Sequence, residues 1–219
     1  MEFDPNNKVI QLCSQGMEEE FAGNIGQAHA LFQQAWDLAK DDFEAFTAAH
    51  YLARHQKDPK EMLKWNVEAL NRAVAIRESG IKEHFPSLYL NVARSHESLG
   101  NMSEAGDYYR LAADSGEQLP NTKYADMIKS GISEGLKRTG ILSPVNETIS
   151  GLIDGWCGQK NLKALAMVLP AWVGNLGSTN DIHKLISALS YLSASRSLCP
   201  DEQAIVEHVI IQLSSQSLN

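Results

Sequence analysis

The sequence predicts an all-α fold of about twelve helices stacked in antiparallel pairs, and three observations carry that reading. First, a small–aromatic–small triplet, Ala28, Phe32 and Ala35, recurs as Ala105, Tyr109 and Ala112, each copy opened by a glycine at Gly23 and Gly100. Residues three or four apart share one helix face, so each triplet lets a neighbouring helix come close and fills the next gap with a ring. Second, the spacing of the two copies leaves room for a third between them, the mark of a repeat array. Third, helix-favouring Ala, Leu, Glu, Lys and Met abound, and no strand alternation bounded by turns is found.

Each element follows from periodicity and punctuation. A first helix from about Lys8 to Ala22 carries Val9, Leu12, Cys13, Gly16 and Met17 along a stripe, with Phe21 near its end. Gly16 costs about 1 kcal/mol against Ala in a helix interior, a cost that close helix contact would explain. Gly23-Asn24 breaks the pattern, and about Ile25 to Lys40 turns Ala28, Leu31, Phe32, Ala35 and Trp36 inward. Phe43, Phe46, Ala49, His50 and Ala53 space a third helix up to Arg54. Asp58-Pro59 is a capping residue followed by a proline suited to the first helical position. The helix it opens is expected to run long, to Glu78.

Glu61, four before Trp65, takes the first triplet place in the middle copy. It stands 33 residues after Ala28 but 44 before Ala105, so the second step is stretched by about ten residues, expected as extra turns on facing helices. Phe85 to Leu99 and Met102 to Gly116 form the third pair. After Leu119-Pro120-Asn121, Tyr124, Ile128, Ile132 and Leu136 at i, i+4 spacing mark a helix from Lys123 to Arg138. Ser143-Pro144 starts the next, through Trp156, which would complete a degenerate fourth pair. From Gly158 charge becomes sparse. Leu162–Leu176, Asp181–Ala194 and Asp201–Leu213 are its helical stretches, within an end expected to hold four shorter helices. The expected organisation is therefore repeats over 8–157 and a charge-poor helical extension or cap over 158–215 on the same stack.

Composition excludes several classes. A formal net charge of -8, with basic residues interleaved among acids, disfavours nucleic-acid binding, which needs a basic patch. Three well-separated cysteines, Cys13, Cys157 and Cys199, make no disulfide framework. The start, Met-Glu-Phe-Asp-Pro, lacks the basic flank and apolar core of a signal peptide, and the longest apolar run, Ala164 to Val173, is too short to span a bilayer. A cytoplasmic protein without membrane attachment is expected. No His-Glu-x-x-His, Cys-x-x-Cys, Gly-x-Ser-x-Gly or phosphate-loop pattern occurs, so no catalytic, cofactor or metal residues are assigned.

The Ala28/Phe32/Ala35 and Ala105/Tyr109/Ala112 triplets, with Leu12, Gly16 and Phe21 on one first helix and Tyr89, Ala93 and His96 on another, resemble the tetratricopeptide repeat family. That resemblance implies a right-handed superhelix of two-helix units whose first helices line a concave groove. Anchored at Ala105, the groove-facing places are Leu90, Asn91, Arg94 and Glu97 in the third unit. They are Phe46, Thr47, His50 and Arg54 in the second, and Cys13, Ser14, Met17 and Glu20 in the first. His50, Arg54, Leu90, Asn91, Arg94 and Glu97 are the candidate partner-binding set. The Lys and Asn set with which family members grip a C-terminal carboxylate is missing from these faces.

The expected function is noncatalytic: an adaptor or regulator holding a peptide or protein segment. Two alternatives stand beside it. One is a structural module that forms a homodimer through its C-terminal helices; the other is an accessory domain that senses a ligand or peptide.

Overall fold

The computed structural model describes residues 4, 6–77, 79–116, 119, 122–140 and 144–216. Within them the chain forms eleven α-helices and one 3-10 segment, and no strand. It divides into two compact units, Met1–Pro120 and Asn121–Asn219. The compositional change at Gly158 lies inside the second.

The first unit holds six helices: α1 (Lys8–Phe21), α2 (Ile25–Leu38), α3 (Asp42–Arg54), α4 (Pro59–Ala75), α5 (Phe85–Ser98) and α6 (Met102–Ser115). They pack as the antiparallel pairs α1–α2, α3–α4 and α5–α6, and adjoining pairs meet through α2–α3 and α4–α5. Both triplets are wholly interior, with Ala28, Phe32, Ala35, Ala105, Tyr109 and Ala112 at 0% exposure. Gly16 sits directly against the Phe32 ring, the close approach that its missing side chain allows. The helix starts are tied together by polar groups. Asn7 caps α1 by accepting from the Val9 and Ile10 amides, and its Nδ2 donates to Glu44 Oε1 at 2.6 Å. Glu44 Oε2 accepts the Lys40 amide at 2.7 Å, while Asp41 caps α3 at the Glu44 amide. A buried carboxylate is thus satisfied by the α1 cap on one oxygen and the α2–α3 turn on the other.

Three expectations are corrected here. The stretch between the second and third pairs is not taken up by longer facing helices. α4 ends at Ala75, and the 3-10 segment Ser79–His84 carries the chain to α5. Ile81 of that segment is buried with Phe46, Ala49, Ala69, Leu88 and Val92, so apolar burial holds the insert against the core. Phe21 does not share the packed stripe of α1; it is 98% exposed. At about 100° per residue it lies roughly 140° round the helix from Gly16 and only about 40° from Met17. Tyr124, aligned with Ile128, Ile132 and Leu136 in the expected stripe, is exposed.

The second unit holds α7 (Lys123–Arg138), α8 (Pro144–Gln159), α9 (Leu162–Trp172), α10 (Thr179–Ala194) and α11 (Pro200–Gln216). Three helices, not four, follow Gly158 among the described residues. The turn expected at Pro120-Asn121 and the start at Ser143 lie outside the described residues. α8 contacts α9, α9 contacts α10, α10 contacts α11, and α11 returns to α8. This closed circuit surrounds Ile149, Trp156, Ala164, Val168, Leu185, Leu189, Leu192, Val206 and Val209, all at 0% exposure. Lys137 of α7 places its ammonium 4.3 Å from the Trp172 ring centroid, within cation–π range.

One backbone device joins the α1–α2, α5–α6 and α8–α9 pairs. The Gly23 and Asn24 amides donate to Glu20 and Glu19 carbonyls, and those of Gly100 and Asn101 to Glu97 and His96. Lys160 and Asn161 donate to Cys157 and Trp156 at the same offsets. Each turn needs a left-handed residue, supplied by Gly23 (φ 82°), Gly100 (φ 78°) and, against steric preference, Lys160 (φ 57°).

Candidate functional site

The six expected groove residues occupy α3 and α5. On α3, His50 and Arg54 are one turn apart. Arg54 Nη2 donates to Glu20 Oε1 of α1 at 2.6 Å, and its guanidinium lies 5.6 Å from the Tyr51 ring centroid. His55 Nε2 approaches the same Glu20 oxygen at 3.4 Å. Glu20, counted among the first-unit groove places, therefore bridges α1 to α3.

His50 is largely enclosed. Its ring lies 5.4 Å from that of Tyr51 and 6.3 Å from that of Phe46, and Phe46 in turn meets His84 at 5.7 Å. The His50 Nδ1 atom is buried without a hydrogen-bond partner among the described residues. Burial first, then the Arg54 charge and His84, push its pKa down to about 4, so the ring is neutral near pH 7. The 3-10 segment contributes to this enclosure: Ile81 anchors it beside Phe46, and His84 packs on the Phe46 ring.

On α5, Leu90 is 1% exposed and belongs to the interior. Asn91 is half-buried, and its carbonyl accepts the Ser95 hydroxyl at 2.9 Å. Ser95 also accepts from Asn66 Nδ2 at 2.9 Å, a buried link from α4 to α5. Glu97 accepts the Tyr109 hydroxyl from within its own helix pair. Arg94 is exposed. Of the six, Arg54 and Arg94 are thus the exposed side chains, one on α3 and one on α5.

Sequence reasoning puts Met17 on the groove but leaves out the exposed apolar surface that it shares with Phe21 and Ile25. Met17 at 38% and Phe21 at 98% exposure follow one another on α1, and Ile25 at 45% opens α2 just beyond the turn. Helix angles alone would have found them. A second feature with no signal in the sequence is an open polar cleft of about 470 Å³ at the α2–α3 connection, lined by Trp36, Asp37, Lys40, Asp41, Asp42 and Arg72. Its charges are largely spent on the protein itself. Arg72 donates to Asp42 at 3.1 Å and Glu68 at 2.8 Å, and those bonds raise its pKa. Asp37 accepts from Gln33, and Asp41 caps α3.

The thiols carry no joint chemistry. Cys13 is buried, and burial pushes it up to about 12, while Cys157 and Cys199 are exposed and unpaired. Among the described residues no three of His, Cys, Asp and Glu gather as a metal site. No described helix is long and apolar enough to cross a membrane. The architecture is that of an all-helical scaffold of paired, stacked helices. Set against known proteins, the chain matches no family model, no curated protein and no solved structure.

Proposed function

We propose that the first unit is a tetratricopeptide-like right-handed array that holds a peptide or protein segment against its first helices, as a cytoplasmic adaptor or regulator. One observation carries the reading: the second helices spend their Ala28/Phe32/Ala35 and Ala105/Tyr109/Ala112 faces on the interior, while the first helices keep Met17, Arg54 and Arg94 in solvent. Side chains displayed from packed helices lose little further freedom when a partner docks, which is the advantage of a preformed surface. Affinity capture from matched lysates with native and Arg94→Glu protein tests the reading. Loss of a specific partner at unchanged helicity supports it, and identical partner sets overturn it.

A second reading assigns self-association to the second unit. Tyr191 on α10 and Ile205 and Ile211 on α11 are exposed at 70%, 41% and 67%, in a stretch poor in charge. Leu185 is unsuited to probing this, because it is fully buried. Ile211→Glu lies on the surface, and light scattering across protein concentration shows whether it abolishes a dimer.

A further inference from the structure

The α1 end of the first unit combines an unpartnered apolar ridge with a charge pattern that selects what can cover it. Met17 and Phe21 lie about 40° apart round α1, making one ridge. On the same helical projection Glu18 falls about 60° to one side of Phe21, and Glu20 about 60° to the other side of Met17. Carboxylates therefore flank the apolar strip on both sides. Glu20 is already engaged by Arg54 and His55, whereas the Glu18 side chain has no partner among the described residues.

The helix itself adds to this field. Glu18, Glu19 and Glu20 fill the last turn of α1, with no basic residue there. The carbonyl end of a helix carries partial negative charge, so carboxylates in that turn repel it and cations are favoured. Glu19 accepts from Asn24 Nδ2 at 2.8 Å, a neutral donor that leaves the charge in place. An acidic partner or an anionic lipid surface would be repelled here, and a second copy would set Glu18 and Glu19 against their own kind.

We propose that the Met17–Phe21 ridge docks a basic peptide segment. One large apolar side chain packs on Phe21, and a Lys or Arg beside it sits against Glu18 and the carbonyl end of α1. This rests on the reading of the first unit as a protein-binding array and names the partner class for its α1 end. Ile25, exposed at 45% beyond the Gly23-Asn24 turn, lengthens the apolar footprint toward α2.

The test uses the full chain and two fluorescent synthetic peptides of equal length and apolar content, one with Lys and Arg around a central Leu-Phe pair, the other with Glu in those places. Anisotropy should show binding of the basic peptide, weakened about tenfold or more by high salt, and none of the acidic one. Phe21→Ser should lower affinity at least about tenfold with unchanged circular dichroism, because that side chain supports no interior contact. Glu18→Lys should lower it as well. Equal binding of both peptides, binding of neither, or full binding by Phe21→Ser overturns the proposal. Self-association seen by ultracentrifugation in native protein but not in Phe21→Ser would assign the ridge to a second copy and overturn it too. An Arg94→Glu arm separates the two readings: loss of the basic peptide there, with Phe21→Ser binding normally, leaves the array reading standing and removes this one.

Discussion

A Cβ placed on Gly16 of α1 would lie 2.3 Å from Cε1 of Phe32 on α2. The ring has nowhere to retreat, since it is fully buried and stacked on Tyr51 at 5.1 Å and His55 at 5.8 Å. Overpacking at such a contact costs about 1–3 kcal/mol, set against roughly 1 kcal/mol of helix propensity gained on leaving glycine. Gly16→Ala should therefore lower the midpoint of chemical denaturation. Adding Phe32→Leu to Gly16→Ala should cost less than the sum of the two single changes. Strict additivity would mean that the two residues do not press on one another.

Lys160 holds the left-handed position that glycine fills in the two equivalent turns. An L-residue there is disfavoured by about 1–2 kcal/mol, part of which glycine returns as unfolded-state entropy. Lys160→Gly should raise Tm by about 2–4 °C in a chain of this size. The reciprocal Gly100→Lys should lower it. A lower Tm for Lys160→Gly would show that the lysine side chain contributes more than its backbone strain costs.

The enclosed His50 ring links stability to pH. Its folded pKa of about 4 lies below the ordinary 6.5. Between those values the unfolded chain binds the proton and the folded chain does not, so stability falls as pH drops from about 6.5 toward 4. The charges facing the ring are Arg54 on its own helix and His84 from the 3-10 segment. A shift of this size corresponds to a few kcal/mol at most. Replacing His50 by Gln should flatten the profile of Tm against pH across that window. An unchanged slope would assign the acid sensitivity to other groups.

Asn66, 6% exposed, donates across the α4–α5 interface to Ser95, whose hydroxyl then donates to the Asn91 carbonyl. Asn66→Ala removes that donor and the packing around it, and should cost about 1–3 kcal/mol in urea unfolding. Asn66→Ala combined with Ser95→Ala should cost less than the two single changes added, because the two side chains share one bond.

How much of this was legible in the sequence depends on which physical signal each feature leaves. The Gly16–Phe32 approach was readable, since a glycine kept inside a helix beside a small–aromatic–small triplet marks where two helix backbones draw together. Most helix boundaries followed from caps and prolines, as at Asp58-Pro59. The insert between the second and third pairs was not, because apolar residues such as Ile81 read equally well as added helix or as a tethered connection. Repeat register puts His50 and Leu90 on a groove, but register says nothing of what packs over each residue: His50 is enclosed beside Phe46 and the 3-10 segment, and Leu90 is buried. Phe21 is the opposite case: its angle on α1 was computable, and its apolar character suggested a core position instead. The left-handed Lys160 leaves no signal in the sequence, because the glycine of its turn, Gly158, stands two residues before the left-handed position.

The return of α11 to α8 has a consequence for how the second unit comes apart. A row of units that touch only their neighbours can shed its last member and keep the rest, whereas a ring of helices has no terminal member to shed. Deleting 200–216 would uncover both α8 and α10 at once, so the loss should spread through the whole ring instead of fraying from its tip. Because α8 and α11 stand far apart along the chain, sealing that ring is also the step that a folding chain must reach latest.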